Sequence, residues 1–191
     1  MTVRVYRSSD ASAPVLSGTS GSLVALLYAC LVTGYGSAVG AGWAREFTAA
    51  NKAVFRAASG NRLRLRVDDT GTQEARIVGY ETMSDVDTGT GVFPTSGQVS
   101  GGLYVRKSGT ADSTARPWVV VATDKAFYFL PNSGGTDWLA PLSSDYTYLS
   151  GQFFFGEFTS FKPGDAYNTA IIGSEATGNS AGRLGTCVSQ S

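Results

Sequence analysis

Hydrophobic residues recur along this chain with two different periods. Leu23, Leu26, Leu27, Cys30 and Leu31 follow the three- and four-residue spacing that lines one face of a helix, and Val24 and Val32 widen that face. A helix buried on most sides is therefore expected here, with Gly34 as its stop. Ser17, Gly18, Thr19 and Ser20 precede it, and hydroxyls of this kind accept from the free N–H groups of a helix start. Upstream lie a short strand candidate, Val3 to Tyr6, and a polar connector over residues 7–20.

From residue 53 the period falls to two. Short runs rich in β-branched and aromatic residues alternate with Gly, Asn, Asp and Pro, which predicts strands at Val54–Ala57, Arg62–Val67, Ala75–Tyr80, Leu103–Arg106, Trp118–Ala122, Phe127–Leu130, Phe153–Phe158 and Ala170–Ile172. So many short strands beside one helix imply a mainly β chain with a helical minority: a β-sandwich or barrel-like core carrying one buried N-terminal helix. No repeat of solenoid period is visible. Residues 1–173 are expected to form a single β-rich domain with the connector at 7–20, and residues 174–191 a Gly/Ser-rich C-terminal tail. Connector and tail both lack the apolar residues to order themselves, so each is expected to gain order against a neighbouring subunit.

The stretch from Arg62 to Tyr80 carries the sharpest pattern. Leu63, Leu65 and Val67 alternate with Arg62, Arg64 and Arg66, giving one apolar and one cationic face. A three-residue turn at Asp69-Thr70-Gly71 would set Leu63 beside Ile77, Leu65 beside Ala75, Arg66 opposite Glu74 and Arg64 opposite Arg76. Like charges directly across a strand pair destabilise it unless something compensates. Arg62, Arg64, Arg66 and Arg76 are thus a candidate subunit interface that would meet carboxylates of a neighbour. The alternative is a solvated edge hairpin whose arginines deter aggregation.

Composition narrows the chemistry. Only 16% of the 191 residues are charged, against roughly 25% in ordinary globular chains, so the surface is rich in Ser, Thr, Gly and Asn. Fifteen basic and fifteen acidic residues cancel, leaving no net field to recruit nucleic acid or an anionic membrane. The apolar run at 21–33 is shorter than the ~20 residues that span a bilayer. Histidine is absent, which excludes Ser-His-Asp and Cys-His activation and every imidazole metal site. Cys30 and Cys187, the two cysteines, are expected to be free thiols, and no cofactor or metal is implied. Asp85 and Asp87 begin a calcium-loop spacing that Gly89 and Ser96 then break. Adjacent Asp68 and Asp69 point to opposite faces of a strand and suit a turn before Gly71. Glu157 and Asp165 are glycosidase-type carboxylates with no spacing that demands the role. Phe127–Tyr128–Phe129 and Phe153–Phe154–Phe155 should each bury alternate rings, leaving the others for a subunit interface.

Several stretches together resemble a family of structural proteins of tailed bacteriophages. They are RVYRSSDASAPVLSGTSGSLVALL (4–27), LRVDDTGT (65–72), GYETMSDVDTGTGVFP (79–94), GGLYVRKSGTADSTARPWVV (101–120) and GDAYNTAIIG (164–173). The resemblance implies a non-enzymatic virion component, assembled in the host cytoplasm, whose partners are copies of itself and other phage structural proteins. By analogy with β-sandwich tail tubes it implies a place in the tail, in tube, tip or baseplate. A capsid-bound decoration protein is the alternative position. A different class of function is a carbohydrate-recognising fibre module, binding a surface glycan through aromatics such as Trp43, Trp118, Trp138 or Tyr146.

Overall fold

The computed structural model describes residues 2–134, 151–161 and 163–173, together with the backbone of 186–190. The chain is mainly β, with two large sheets and one short helix. In chain order the elements are β1 (Arg4–Arg7), α1 (Ser22–Tyr28), β2 (Ala44–Ala49), β3 (Lys52–Arg56), β4 (Arg64–Asp68), β5 (Glu74–Tyr80), β6 (Thr82–Asp85) and β7 (Thr88–Thr90). There follow β8 (Leu103–Arg106), β9 (Trp118–Ala122), β10 (Ala126–Pro131), β11 (Phe153–Glu157), β12 (Thr169–Gly173) and β13 (Thr186–Gln190). One sheet runs β1-β9-β10-β11-β12-β13 and the other β2-β3-β4-β5-β8, and among the described residues every pairing in them is antiparallel.

Alternation puts every second side chain of each sheet into a shared core. Trp118, Val120, Phe127, Phe129, Phe155 and Ile171 enter it from the first sheet, and Phe55, Leu65, Val67, Ile77 and Leu103 from the second. Trp43 meets Phe127 edge-on at 5.3 Å, and Phe93 stacks on Phe155 at 6.2 Å. Burying each large apolar side chain contributes about 1.5–3 kcal/mol, and this shared layer is what holds the sheets together. Leu23, Leu26 and Leu27 of α1 belong to the same core. A π-helical turn, Ala29–Thr33, continues α1 and adds Cys30, a free thiol that burial pushes well above its ordinary value. Gly34, at φ 80°, ends this segment as its position in the sequence predicts.

The start of the helix differs from expectation. No side chain of the Ser17–Ser20 stretch caps it. Instead the Asp69 carboxylate, from the end of β4, accepts from Leu23 N at 2.7 Å and Val24 N at 3.3 Å. Lys107 donates to the same carboxylate, to Thr19 O at 2.7 Å and to Gly71 O at 3.0 Å. Both charged side chains are wholly buried. The three N–H groups of the ammonium find three acceptors, which is how a buried ion pair avoids an unsatisfied polar group.

Two further expectations are corrected. The connector is docked on its own chain: Leu16 is buried in the core, its carbonyl accepts from Arg116 N at 2.8 Å, and Trp118 Nε1 donates to Pro14 O at 3.1 Å. One well-placed leucine and satisfied backbone groups do here what overall apolar content could not. The tail is not without structure throughout, because Thr186–Gln190 pairs with β12 as an edge strand, with Cys187 opposite Ile172. Residues 174–185 and 191 lie outside the described residues.

Candidate assembly surfaces

β4 does present Leu65 and Val67 inward, with Leu63 just before it also buried, and Arg64 and Arg66 outward. Its pairing with β5 is not the expected one. Arg64 stands opposite Tyr80, Arg66 opposite Val78, Val67 opposite Ile77 and Asp68 opposite Arg76. The connection spans Asp69 to Gln73 rather than three residues, because Asp69 is drawn inward to the helix and Lys107. Both registers keep the same faces, so alternation alone could not separate them. The Arg64–Arg76 repulsion is absent, and with it the reason for seeking an external carboxylate.

The four candidate arginines do not form one free patch. Arg64 Nε donates to Glu46 at 2.8 Å and its Nη1 to Glu81 O at 2.8 Å. Glu46 also pairs with Arg56, and it reaches the outer face because the β2–β3 register shifts between Arg45 and Phe47. Such a bulge re-aims a side chain that alternation would send the other way. Arg66 donates to Val86 O at 3.1 Å, to Asp68 at 3.0 Å and to Asp87. Arg76 lies over the Tyr104 ring at 3.5 Å and donates to Ser100 O at 2.9 Å. Arg62 alone is exposed, at φ 57° in the turn before β4. An open cleft of about 340 Å³ beside this face is lined by Arg66, Asp87, Val78, Tyr80, Pro94 and Val99 among others.

This face is also roofed by its own chain. The β6–β7 hairpin folds back so that Met83 and Val86 pack on Val54, with Phe47 and Tyr80 alongside. Its other hold is electrostatic: Asp87 receives Arg66 and Lys52, the latter at 3.1 Å. The hydrogen bond from Arg66 comes first among the influences holding the Asp87 carboxyl below its ordinary value. For Asp68, burial pushes upward, but the Thr70 hydroxyl and N–H, with Lys52 and Arg66, outweigh it and leave a net lowering. A carboxyl lowered on folding contributes stability that is full above the ordinary aspartate value near pH 4 and is lost as pH falls through the folded value. Acid should therefore loosen the hairpin before the sandwich, read as loss of amide protection in β6 and β7 while β4 stays protected. Asp87→Ala at neutral pH should reproduce this at a cost of about 1 kcal/mol or less, because the pair is half open to solvent. Equal loss of protection in both sheets would refute the hairpin's separate tether.

The remaining candidates have partners within the chain or lie in its core. Asp85 accepts from Val86 N, and among the described residues no group of three or more metal-binding side chains assembles. Glu157 accepts from Asn61 N at 2.7 Å and Lys125 at 3.2 Å, while Asp165 accepts from Tyr167 N at 3.2 Å. Both carboxylates line an open cleft of about 560 Å³. Trp43 and Trp118 are buried core residues, which removes them from the aromatic platform proposed for a glycan; Trp138 and Tyr146 lie outside the described residues.

The outer face of the six-stranded sheet is different in kind. Phe127 and Phe129 point into the core while Tyr128 is 50% exposed between them, and Phe154 alternates in the same way with buried Phe153 and Phe155. Tyr128 stands opposite Phe154, with ring centroids 4.6 Å apart. On either side the register adds Val121 and Val5, then Ile172, so five neighbouring strands offer apolar side chains in one row. Aromatic and β-branched cross-strand pairs stabilise a sheet, and in this row Val5 and Tyr128 are exposed while Val121, Phe154 and Ile172 are partly buried. No protein-family model matches the chain, and no curated protein or solved structure matches it either.

Proposed function

We propose that the chain is a non-enzymatic building block of a tailed-bacteriophage virion, packing on copies of itself and on neighbouring structural subunits. The tail, as tube, tip or baseplate, is the position this reading favours, and a capsid-bound decoration protein is the alternative position. The observation that carries the reading is the apolar row Val5, Val121, Tyr128, Phe154 and Ile172 on the outer face of the six-stranded sheet, in which Val5 and Tyr128 are exposed. Exposed aromatic and β-branched side chains side by side on a sheet suit a protein contact. The engagement of Arg64, Arg66, Asp69, Asp87, Lys107 and Glu157 in intrachain bonds supports the non-enzymatic part, since these groups already have structural roles. The segments resembling phage structural proteins supply the particle.

The test is particle composition. In gradient-purified virions made in cells that express the chain, mass spectrometry is expected to find it at many copies per particle, and at a fixed ratio to the major structural proteins. Its absence from particles that assemble normally would reject the reading. Labelled antibody on intact virions then separates tail from capsid.

A further inference from the structure

The β6–β7 hairpin is held to the molecule by little besides its seat. Its strands pair with one another and with no other strand among the described residues. The seat, on the outer face of the five-stranded sheet, is made through side chains of that sheet: Val54 beneath Met83 and Val86, and Arg66 and Lys52 on Asp87. We propose that this hairpin is an exchange element, which leaves its own sheet and takes the identical seat on a second copy in a reciprocal two-fold dimer. The proposal rests on the assembly reading above and names its partner.

The seat already holds the occupant that fits it. In the closed chain Val54 is fully buried, Arg66 Nε donates to Val86 O at 3.1 Å, and Asp87 is shared between Arg66 and Lys52. A second copy's hairpin brings the same atoms to the same partners, so the exchanged contact needs no new complementarity. Any other surface would have to supply two apolar side chains and a carboxylate at matching positions.

The hinges are short, and the core behind them stays closed. Gly79 and Phe93 exchange hydrogen bonds of 2.7 and 2.9 Å, and Phe93 stacks on Phe155, which fixes both ends of the hairpin to the sandwich. Between that clasp and the hairpin, Glu81 alone joins β5 to β6, and Gly91 and Val92 lead from β7 to Phe93. Gly91, at φ 62°, lies so near Glu81 that a Cβ would strike its side chain. A short, tightly turned hinge favours exchange over closure. Val54, Met83 and Val86 form a cluster that shares no member with the main core. Lifting the hairpin therefore leaves the sandwich shut.

Reach and concentration set the form. The four residues of β6 extend roughly 13 Å, whereas stacked sheets lie ~10 Å apart, so a hairpin swung outward spans to a sheet whose outer face opposes its own. Closed and exchanged forms share every seat contact. They differ at the hinges and in the freedom lost on pairing, so the dilute chain is closed and a high local concentration of copies favours exchange.

The full chain, held at submillimolar concentration at acid pH to release Asp87 and then neutralised, should yield a dimer that gel filtration separates from monomer. In a dimer of one isotope-labelled and one unlabelled copy, a nuclear Overhauser contact should join Met83 of one copy to Val54 of the other. Asp87→Lys and Arg66→Glu each make the seat repulsive, but exchange between the two variants restores both ion pairs, so their mixture should dimerise at least tenfold more than either alone. Should Arg66→Glu fail to fold, the Met83–Val54 contact of the wild-type dimer decides by itself. A chain that stays monomeric after this treatment, or a dimer without that intermolecular contact, would overturn the proposal. If exchange fails in solution while the wild-type chain is present in virions, exchange falls and the assembly reading stands. If the wild-type chain is missing from virions, the assembly reading falls whatever the dimer shows.

Discussion

Replacing Lys107 by Met is expected to cost about 3–5 kcal/mol, the usual penalty for removing one partner of a buried ion pair. Asp69 would keep the helix N–H groups of Leu23 and Val24 but lose its counter-charge in a site with no solvent access. Burial already pushes the Asp69 carboxyl up and the Lys107 ammonium down, each restrained by the other. Without Lys107 the carboxyl should rise further, so the folded state holds a proton that the unfolded chain releases, and the variant loses stability as pH increases. Asp69→Asn should behave in the opposite sense. The stranded ammonium is lowered further, and stability should grow as pH rises toward the ordinary lysine value. Urea unfolding of both variants at pH 5 and pH 9 tests this as a crossed pair of slopes, which simple loss of packing would not produce. Losses below about 1 kcal/mol in both variants would mean that the pair is not the clamp joining α1 to the end of β4.

The same clamp explains what the sequence conceals. Leu103–Arg106 and Trp118–Ala122 fall at the expected bounds because period-two runs of Val, Leu and Trp leave a half-buried strand as the consistent choice. The cationic and apolar faces of β4 follow from the same alternation. Partners do not: Glu46 and Asp87 come from β2 and the β6–β7 turn, and nothing in the spacing of the arginines announces them. β2 escapes notice because AREFTA has no clean alternation and bears a register shift, and β7 because Thr88-Gly89-Thr90 is exposed on both faces. The expected turn at Asp69-Thr70-Gly71 is sound local chemistry, overridden by a helix N-terminus 46 residues earlier. The alternate burial in Phe127–Phe129 and Phe153–Phe155 was readable. That Val5, Val121 and Ile172 complete one row with Tyr128 and Phe154 required the strand order.

Truncating Leu16 to Ala is expected to cost about 3 kcal/mol, within the usual 2–5 kcal/mol for a buried leucine, whereas Val15→Ala beside it should stay within about 0.5 kcal/mol. Leu16 is fully buried and Val15 is 58% exposed, although both lie in the same polar stretch. The stretch is held at further points: Tyr35 OH donates to Asp10 at 2.8 Å, Ser22 Oγ donates to Ser17 O at 2.8 Å, and Gly18 lies so close to Thr110 that a Cβ would strike its carbonyl. Deleting residues 7–20 should therefore prevent a folded monomer, by removing a core side chain and the acceptor for Trp118 Nε1 together. Composition alone implied the reverse, an arm that could be cut away or lent to a neighbour. An arm closing its own core cannot also be donated without opening that core, so under the proposed assembly role a subunit contact would have to use surfaces that leave the fold intact. Chemical unfolding decides the matter: equal midpoints for Leu16→Ala and Val15→Ala would free the connector and restore strand or arm exchange as the mode of assembly.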